Sequence, residues 1–525
     1  MILAILMWLV TAGVLLLSVL LVTGFGHLDG ILTFIRDRLL GGSYWKRKGV
    51  PCLEFRPIIG SLMESTDPHN PWYHRLPGYT AKFGPVWGYQ EGYRNILVVA
   101  TPALAKQVLV SEYAQYQQRR GNPIFQTRPT DDSAHLVEAY GQRWRRLRRI
   151  VAHQLSPLNL YPTITDSTHH FVNHLLTFDG QEIEMLRNYQ ELTIDIISRM
   201  AMGQKGSQLF SNQYVDETKA FLNRDPRNPI FLSAAMFSAL RPLARKFFLT
   251  AGRLTEQPPF RQLKVIEEAI RLRKIERAGK TNSESKDFID DFLNATGNET
   301  NLELEALDGL AGPSVGSSKG MNEAEVAVHC LLFLIAGFDS TSSGMAYASY
   351  YLAKYPKVQE LLQEELDAEF PDPNAPMPYD KVQNLPFLNV VVKEVMRLEP
   401  TGTVAVTRIA QNDGVLDNIK LAKGDCVQID VRSLQKSTEI WGRYLGELEL
   451  KYALAKVYRH FDITAGEKFE ASLQYFGWIT VSPKSVTLKV QKRAGVELTP
   501  IDPTAAPQNA PADPEAAPVD PQAAS

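Results

Sequence analysis

The sequence predicts a mainly α-helical domain with small β-sheets, an α+β fold behind an N-terminal transmembrane helix, and three observations predict it. The opening segment MILAILMWLVTAGVLLLSVLLVTGFG (1–26) carries no charge, and about 20 apolar residues suffice to cross a bilayer as a helix. Most of 130–370 repeats apolar residues at helical spacing between polar loops. Strand-like runs are confined to 82–109, 421–431 and 477–493.

In chain order, the anchor occupies 1–24. It lacks the basic start and the A-x-A-like cut site of a cleaved signal peptide. Arg36, Arg38, Lys46, Arg47 and Lys48 follow it, which by the positive-inside rule leaves the bulk of the chain on the cytosolic side. A connector spans 25–57, stiffened at Pro51 and Pro57, where the ring fixes the backbone angle. The folded domain is expected over 58–493. It starts with a hairpin, PVWGYQ and NILVVA around a Gly-containing turn. A long apolar helix runs over 323–356, and LELKYALAKVYRHFDI (448–463) reads as a further helix with Leu450, Leu454 and Val457 at turn spacing. ALDGLAGPSVGSSKG (306–320) is a loop, and the Pro/Ala/Asp repetition of 494–525 is a disordered tail.

A formal net charge of −2 gives no reason to expect nucleic acid as a partner. Cys52, Cys330 and Cys426 lie far apart, which argues against both a disulfide framework and a zinc cluster. NAT (294–296) and NET (298–300) match glycosylation acceptors but face the cytosol in this topology.

Three motifs carry chemistry. AGFDST (336–341) interrupts the middle of the long helix. Gly337 costs roughly 1 kcal/mol against Ala there, and Asp339 needs partners if buried. The glycine would let something flat approach the backbone beside Asp339, Ser340 and Thr341, a set able to relay protons to a bound oxygen species. The plainer alternative is a kink at a polar crossing. QRWRRLRRI (142–150) stacks Trp144 over Arg148 at i, i+4, a pair suited to carboxylates. The alternative is a solvated basic face, because Arg143, Arg145, Arg146 and Arg149 crowd the same turns. In VVVKEVMRL (390–398), Glu394 and Arg397 stand at i, i+3 and can pair; the apolar setting predicts partial burial and a wider network.

In this order the motifs resemble the membrane-bound cytochromes P-450, the haem-thiolate monooxygenases, over about 50–441 and 447–493. The resemblance implies a cytochrome P-450-like fold, with Trp144, Arg148 and Arg408 at the haem propionates. Asp339 and Ser340, with Thr341 as a neighbour able to substitute, take the proton-delivering positions. Glu394 and Arg397 form a structural pair beneath the haem. It also implies a small lipophilic substrate, electrons from NADPH through a reductase that docks near Arg145 and Arg149, and the endoplasmic reticulum membrane. The usual Pro-Pro-Gly-Pro hinge is absent.

One departure is larger. In the family, a meander and an F-x-x-G-x-R-x-C-x-G loop lie between the position of Trp441 and the next helix, and its Cys supplies the axial thiolate to iron. Here Glu449 stands eight residues after Trp441, and GRYLG (442–446) is a stub of that loop. No metal ligand is assigned. Cys426, Cys330 and Tyr444 are poor stand-ins. Loss of the meander is expected to leave the Glu394–Arg397 pair partly uncompensated. Monooxygenation should be impaired, the alternative being a non-catalytic membrane-anchored homologue that binds apolar ligands or partners. An abrupt join between intact flanks points to alternative splicing or mis-assembly.

Overall fold

The computed structural model describes residues 44–124, 134–154, 157–278, 287–294, 320–402, 406–435, 447–478 and 480–496. The expected anchor, most of the 306–320 loop, the join at 436–446 and the tail beyond 496 lie outside the described residues. Nine helices matter for the site: α1 (Trp72–Phe83), α2 (Gly141–Gln154), α3 (Pro157–Leu176), α4 (Met185–Ala201), α5 (Pro258–Arg277), α6 (Glu323–Lys354), α7 (Pro356–Glu369), α8 (Pro386–Leu398) and α9 (Glu447–His460).

Helix α6 is the axis of the core. A capping box starts it: Asn322 Oδ1 accepts from the Glu325 N–H at 2.8 Å, and Glu325 Oε2 from the Asn322 N–H at 3.1 Å. It ends one residue before Tyr355, whose successor Pro356 disfavours helical backbone at the preceding residue. The expected interruption at 336–341 does not occur, and α6 is continuous. Its polar groups are satisfied within the helix, since Ser340 and Ser342 donate to the carbonyls of Ala336 (2.6 Å) and Phe338 (2.8 Å). Helix α4 packs along α6, with Thr193 Oγ1 donating to the Phe338 carbonyl at 2.9 Å and Tyr189 and Ser349 hydroxyls 2.8 Å apart.

Helix α9 packs back onto this core. Leu450, Leu454 and Val457, read from spacing alone, are at most 1% exposed, each burial contributing about 1.5–3 kcal/mol. Gly344 of α6 makes room for it, because a Cβ there would sit 2.6 Å from Leu450 Cδ1. The helix stops at His460, earlier than predicted, and Phe461–Thr464 forms a strand whose alternate residues are buried.

The strands are β1 (Val86–Glu91), β2 (Arg94–Val99), β3 (Gln118–Arg119), β4 (Glu182–Glu184), β5 (Thr407–Ile409), β6 (Gly414–Leu416), β7 (Ile419–Leu421), β8 (Cys426–Ile429), β9 (Phe461–Thr464), β10 (Tyr475–Phe476), β11 (Ser482–Pro483) and β12 (Thr487–Lys492). The main sheet has the order β1-β2-β8-β5-β3, with β2 and β8 parallel. A second sheet orders β4-β12-β9, and β6-β7 and β10-β11 are two-stranded. The predicted hairpin β1–β2 turns at Gly92 with φ +54°, a backbone that glycine adopts freely. The connector is part of the fold from Tyr44 onward: Trp45 is fully buried and its Nε1 donates to the Tyr89 carbonyl at 2.9 Å. A Cβ on Gly88 would fall 2.2 Å from that indole.

Candidate functional site

Strand β3 pairs antiparallel with β5 so that Arg119 lies directly opposite Arg408. Directly opposed side chains share a face of the sheet, and like charges there repel. Burial and then Arg119 lower the Arg408 guanidinium to about 10. Burial lowers Arg119 too, with Arg148 of α2 adding to the effect. The Tyr113 hydroxyl, pushed up by burial, lies in the field of Arg119, Arg408 and Arg145. Its ring meets that of Trp144 at 5.7 Å and 46°. Arg119 Nε is buried with no hydrogen-bond partner among the described residues.

Trp144, Arg148 and Arg408 thus lie around Tyr113 and Arg119, two residues that the sequence reading missed. The signal was the pair Arg119-Arg120, but only strand register separates their roles. Arg120 turns inward to Glu91 at 2.5 Å, while Arg119 faces Arg408. Convergent guanidinium groups call for an anion, and carboxylates match their geometry. The solvated-face alternative fails for two arginines of α2. Arg143 reaches Glu325 Oε1 at 2.8 Å, and Arg146 holds both oxygens of that carboxylate at 2.6 and 3.0 Å. Burial raises Glu325, but Arg146, the Asn322 N–H and Arg143 outweigh it and hold the carboxyl below its ordinary range.

At the centre of α6, Gly337 serves helix packing rather than the approach of a flat ligand, since a Cβ there meets the Ile197 side chain at 3.2 Å. Asp339 is buried, and its Oδ2 accepts from the Thr480 and Ser482 hydroxyls, the second at 2.7 Å. Ser482 in turn accepts from Ser343 at 2.8 Å. Ser340 lies on a less buried stripe with Val328, Leu332 and Ala336, whereas Thr341 is 2% exposed. Asp339, Ser340 and Thr341 are thus neighbours in sequence with separate surroundings.

Glu394 and Arg397 form a bidentate pair at 2.7 Å, 47% and 27% exposed, and Arg397 also donates to the Gln435 carbonyl at 2.9 Å. The expected uncompensated charge is not found, because the two groups neutralise each other within reach of solvent. The hydrogen bonds from Arg397 hold Glu394 below its usual range. A less comfortable carboxyl is Glu449 of α9: burial pushes it up to about 8, and its Oε1 has no partner among the described residues.

None of the three cysteines is in a disulfide. Cys426 is buried in β8 with its thiol pushed up to about 11, chiefly by burial, and Cys330 is buried in α6 with its thiol also raised. Cys52 bridges to Gly88. Trp441 and Tyr444 lie outside the described residues, among which no cluster of three or more His, Cys, Asp or Glu could hold a metal ion. Helix α6 is long and apolar enough to cross a membrane, yet it is mid-chain and mostly buried.

The family model described as Cytochrome P450 matches residues 50–443. The chain is 30% identical to the Caenorhabditis elegans cytochrome P450 CYP13A10, over 88% of this chain and 97% of that one. It is 29% identical to CYP13A2 of the same organism, over 91% and 99%, and 30% identical to CYP13A1, over 86% and 95%. The CYP13A10 alignment runs over 507 positions but takes up 88% of 525 residues, about 462, so about 45 of its positions face a gap in this chain. With a family model over 50–443 and matches that run along nearly the whole of these relatives, the chain belongs to the cytochrome P450 family.

Proposed function

We propose that this chain keeps the carboxylate-binding edge and central helix of a haem monooxygenase but lacks the cysteine thiolate, so that oxygen insertion into a lipophilic substrate is absent or feeble. Family membership supports a monooxygenase-type activity, a haem cofactor and electrons from a redox partner. The observation that carries the haem reading is the convergence of Arg119, Arg148 and Arg408 beside Trp144. Those four residues would hold the propionates, and haem, when bound, supplies the iron at which oxygen is activated.

The remaining roles belong to this chain's own groups. The Ser340 hydroxyl is on the open stripe of α6 and donates to the Ala336 carbonyl at 2.6 Å, which leaves its oxygen free to accept from a proton donor. Asp339 is positioned by Thr480 and Ser482, with Ser343 extending the hydroxyl chain. Arg145 and Arg149 present the basic surface for an NADPH-dependent reductase, and 1–24 anchors the protein in the endoplasmic reticulum membrane.

Support for the missing thiolate comes from three directions: burial raises the thiols of Cys330 and Cys426, the family match ends at residue 443, and about 45 positions along the CYP13A10 alignment face gaps in this chain. The test is a carbon monoxide difference spectrum of the reduced, haem-loaded chain. The expected spectrum has no thiolate-type band; a full band would sink the proposal. A second reading, a non-catalytic binder of apolar ligands, is favoured by the apolar stripe Val328, Leu332 and Ala336. It predicts ligand binding without NADPH consumption in the presence of reductase.

A further inference from the structure

We infer that this chain recognises a porphyrin by its two carboxylates and not by its metal, so that an iron-free porphyrin is as good a ligand as the iron form. The inference rests on the haem-site reading above and deepens it by naming what is recognised.

Two features of the chain lead there. The first is electrostatic. The β3–β5 register sets Arg119 and Arg408 face to face, an arrangement that is unfavourable by itself, and Arg148 of α2 adds a third positive charge within their field. Burial deepens the conflict, because Arg119 Nε is shut away from solvent without a protein acceptor among the described residues. A rigid ligand with two adjacent carboxylates relieves the repulsion and supplies charge-assisted acceptors together. Trp144 and Tyr113, in ring contact beside the arginines, offer an aromatic wall to a flat ligand.

The second feature concerns the metal. Cys426 is held inside the main sheet and Cys330 inside the core of α6, both protonated near neutrality by burial. Locked in the core, these two sulfurs add nothing to iron's affinity, and the carboxylate grip dominates. A porphyrin stripped of its charges should bind poorly whether or not it carries metal.

The full chain in lipid nanodiscs is titrated with protoporphyrin IX, with haemin and with protoporphyrin dimethyl ester, against empty nanodiscs. Binding is read by porphyrin anisotropy and by quenching of tryptophan fluorescence. The free-base and iron forms are expected to bind within about threefold of each other. The ester should be weaker by about tenfold or more, the equivalent of one charge-assisted contact. Arg408→Ala and Arg148→Ala should each weaken the diacid about tenfold and leave the ester unchanged. Arg148 is exposed, so its variant keeps the test valid if the Arg408 variant misfolds. Haemin binding a hundredfold tighter than the free base would overturn the inference while leaving the haem-site reading intact. Equal binding of acid and ester would overturn the carboxylate grip, and failure of all three ligands to bind would overturn both readings.

Discussion

Asp339 shows how much a single side chain can do through hydrogen bonds. Its carboxylate ties the β10–β11 end of the chain to the middle of α6 through Thr480 and Ser482. Asp339→Ala strands both hydroxyls and is expected to cost about 1–3 kcal/mol in urea unfolding, with Asp339→Asn closer to wild type because its amide oxygen still accepts. Titration matters elsewhere. Burial and Arg432 hold His74 at about 3, and burial holds His135 and His329 at about 4. These histidines fold neutral, so their stabilisation is complete above about 6.5 and is lost as pH falls toward 4. Glu449 works in the opposite sense. With its folded value near 8, it weakens the fold as pH rises from about 4.5 to 8. Glu449→Gln should therefore raise the urea midpoint at pH 8 and leave it little changed at pH 4. The sequence shows the i, i+4 and i, i+3 pairs on one helix, as with Trp144–Arg148 and Glu394–Arg397. It does not show Arg119 against Arg408, since that contact is set by the pairing of two very short strands nearly 300 residues apart in the chain.

Among the elements, α6 is held at its start by one residue with two duties. Glu325 closes the capping box and neutralises Arg143 and Arg146 of α2 while 1% exposed. Removing one partner of a buried ion pair is far costlier than losing a surface pair, so Glu325→Ala is expected to lose about 3–5 kcal/mol in chemical denaturation. Long helices with clear apolar faces, such as α6 and α9, were legible from the sequence because burial repeats every turn. The misjudged interruption of α6 came from weighing Gly337 by propensity alone. Its packing against Ile197 and the back-bonded serines restore what the glycine loses. Strands such as β3, β4 and β5 span two or three residues each, too few for a two-residue alternation to register. Strand β9 was hidden because its apolar residues continue the pattern of α9.

For the molecule as a whole, the join at 441–447 bears on the proposed chemistry more than on folding, since Leu450, Leu454 and Val457 of α9 beyond it are buried. If the join is a mis-assembly, transcripts sequenced across codons 436–452 are expected to carry further codons there, and the total of about 45 gapped positions along the CYP13A10 alignment bounds their number; a transcript identical to this chain would exclude mis-assembly. The burial of Trp45 beneath Gly88 has a consequence for the proposed tether by residues 1–24. The leash available to the catalytic body ends at Tyr44, and twenty residues fully stretched reach no more than about 70 Å. With that tether in a bilayer, the first sheet would be moored close to the lipid, and any mutation that frees Trp45 would lengthen the leash and let the body drift and tumble away from the surface.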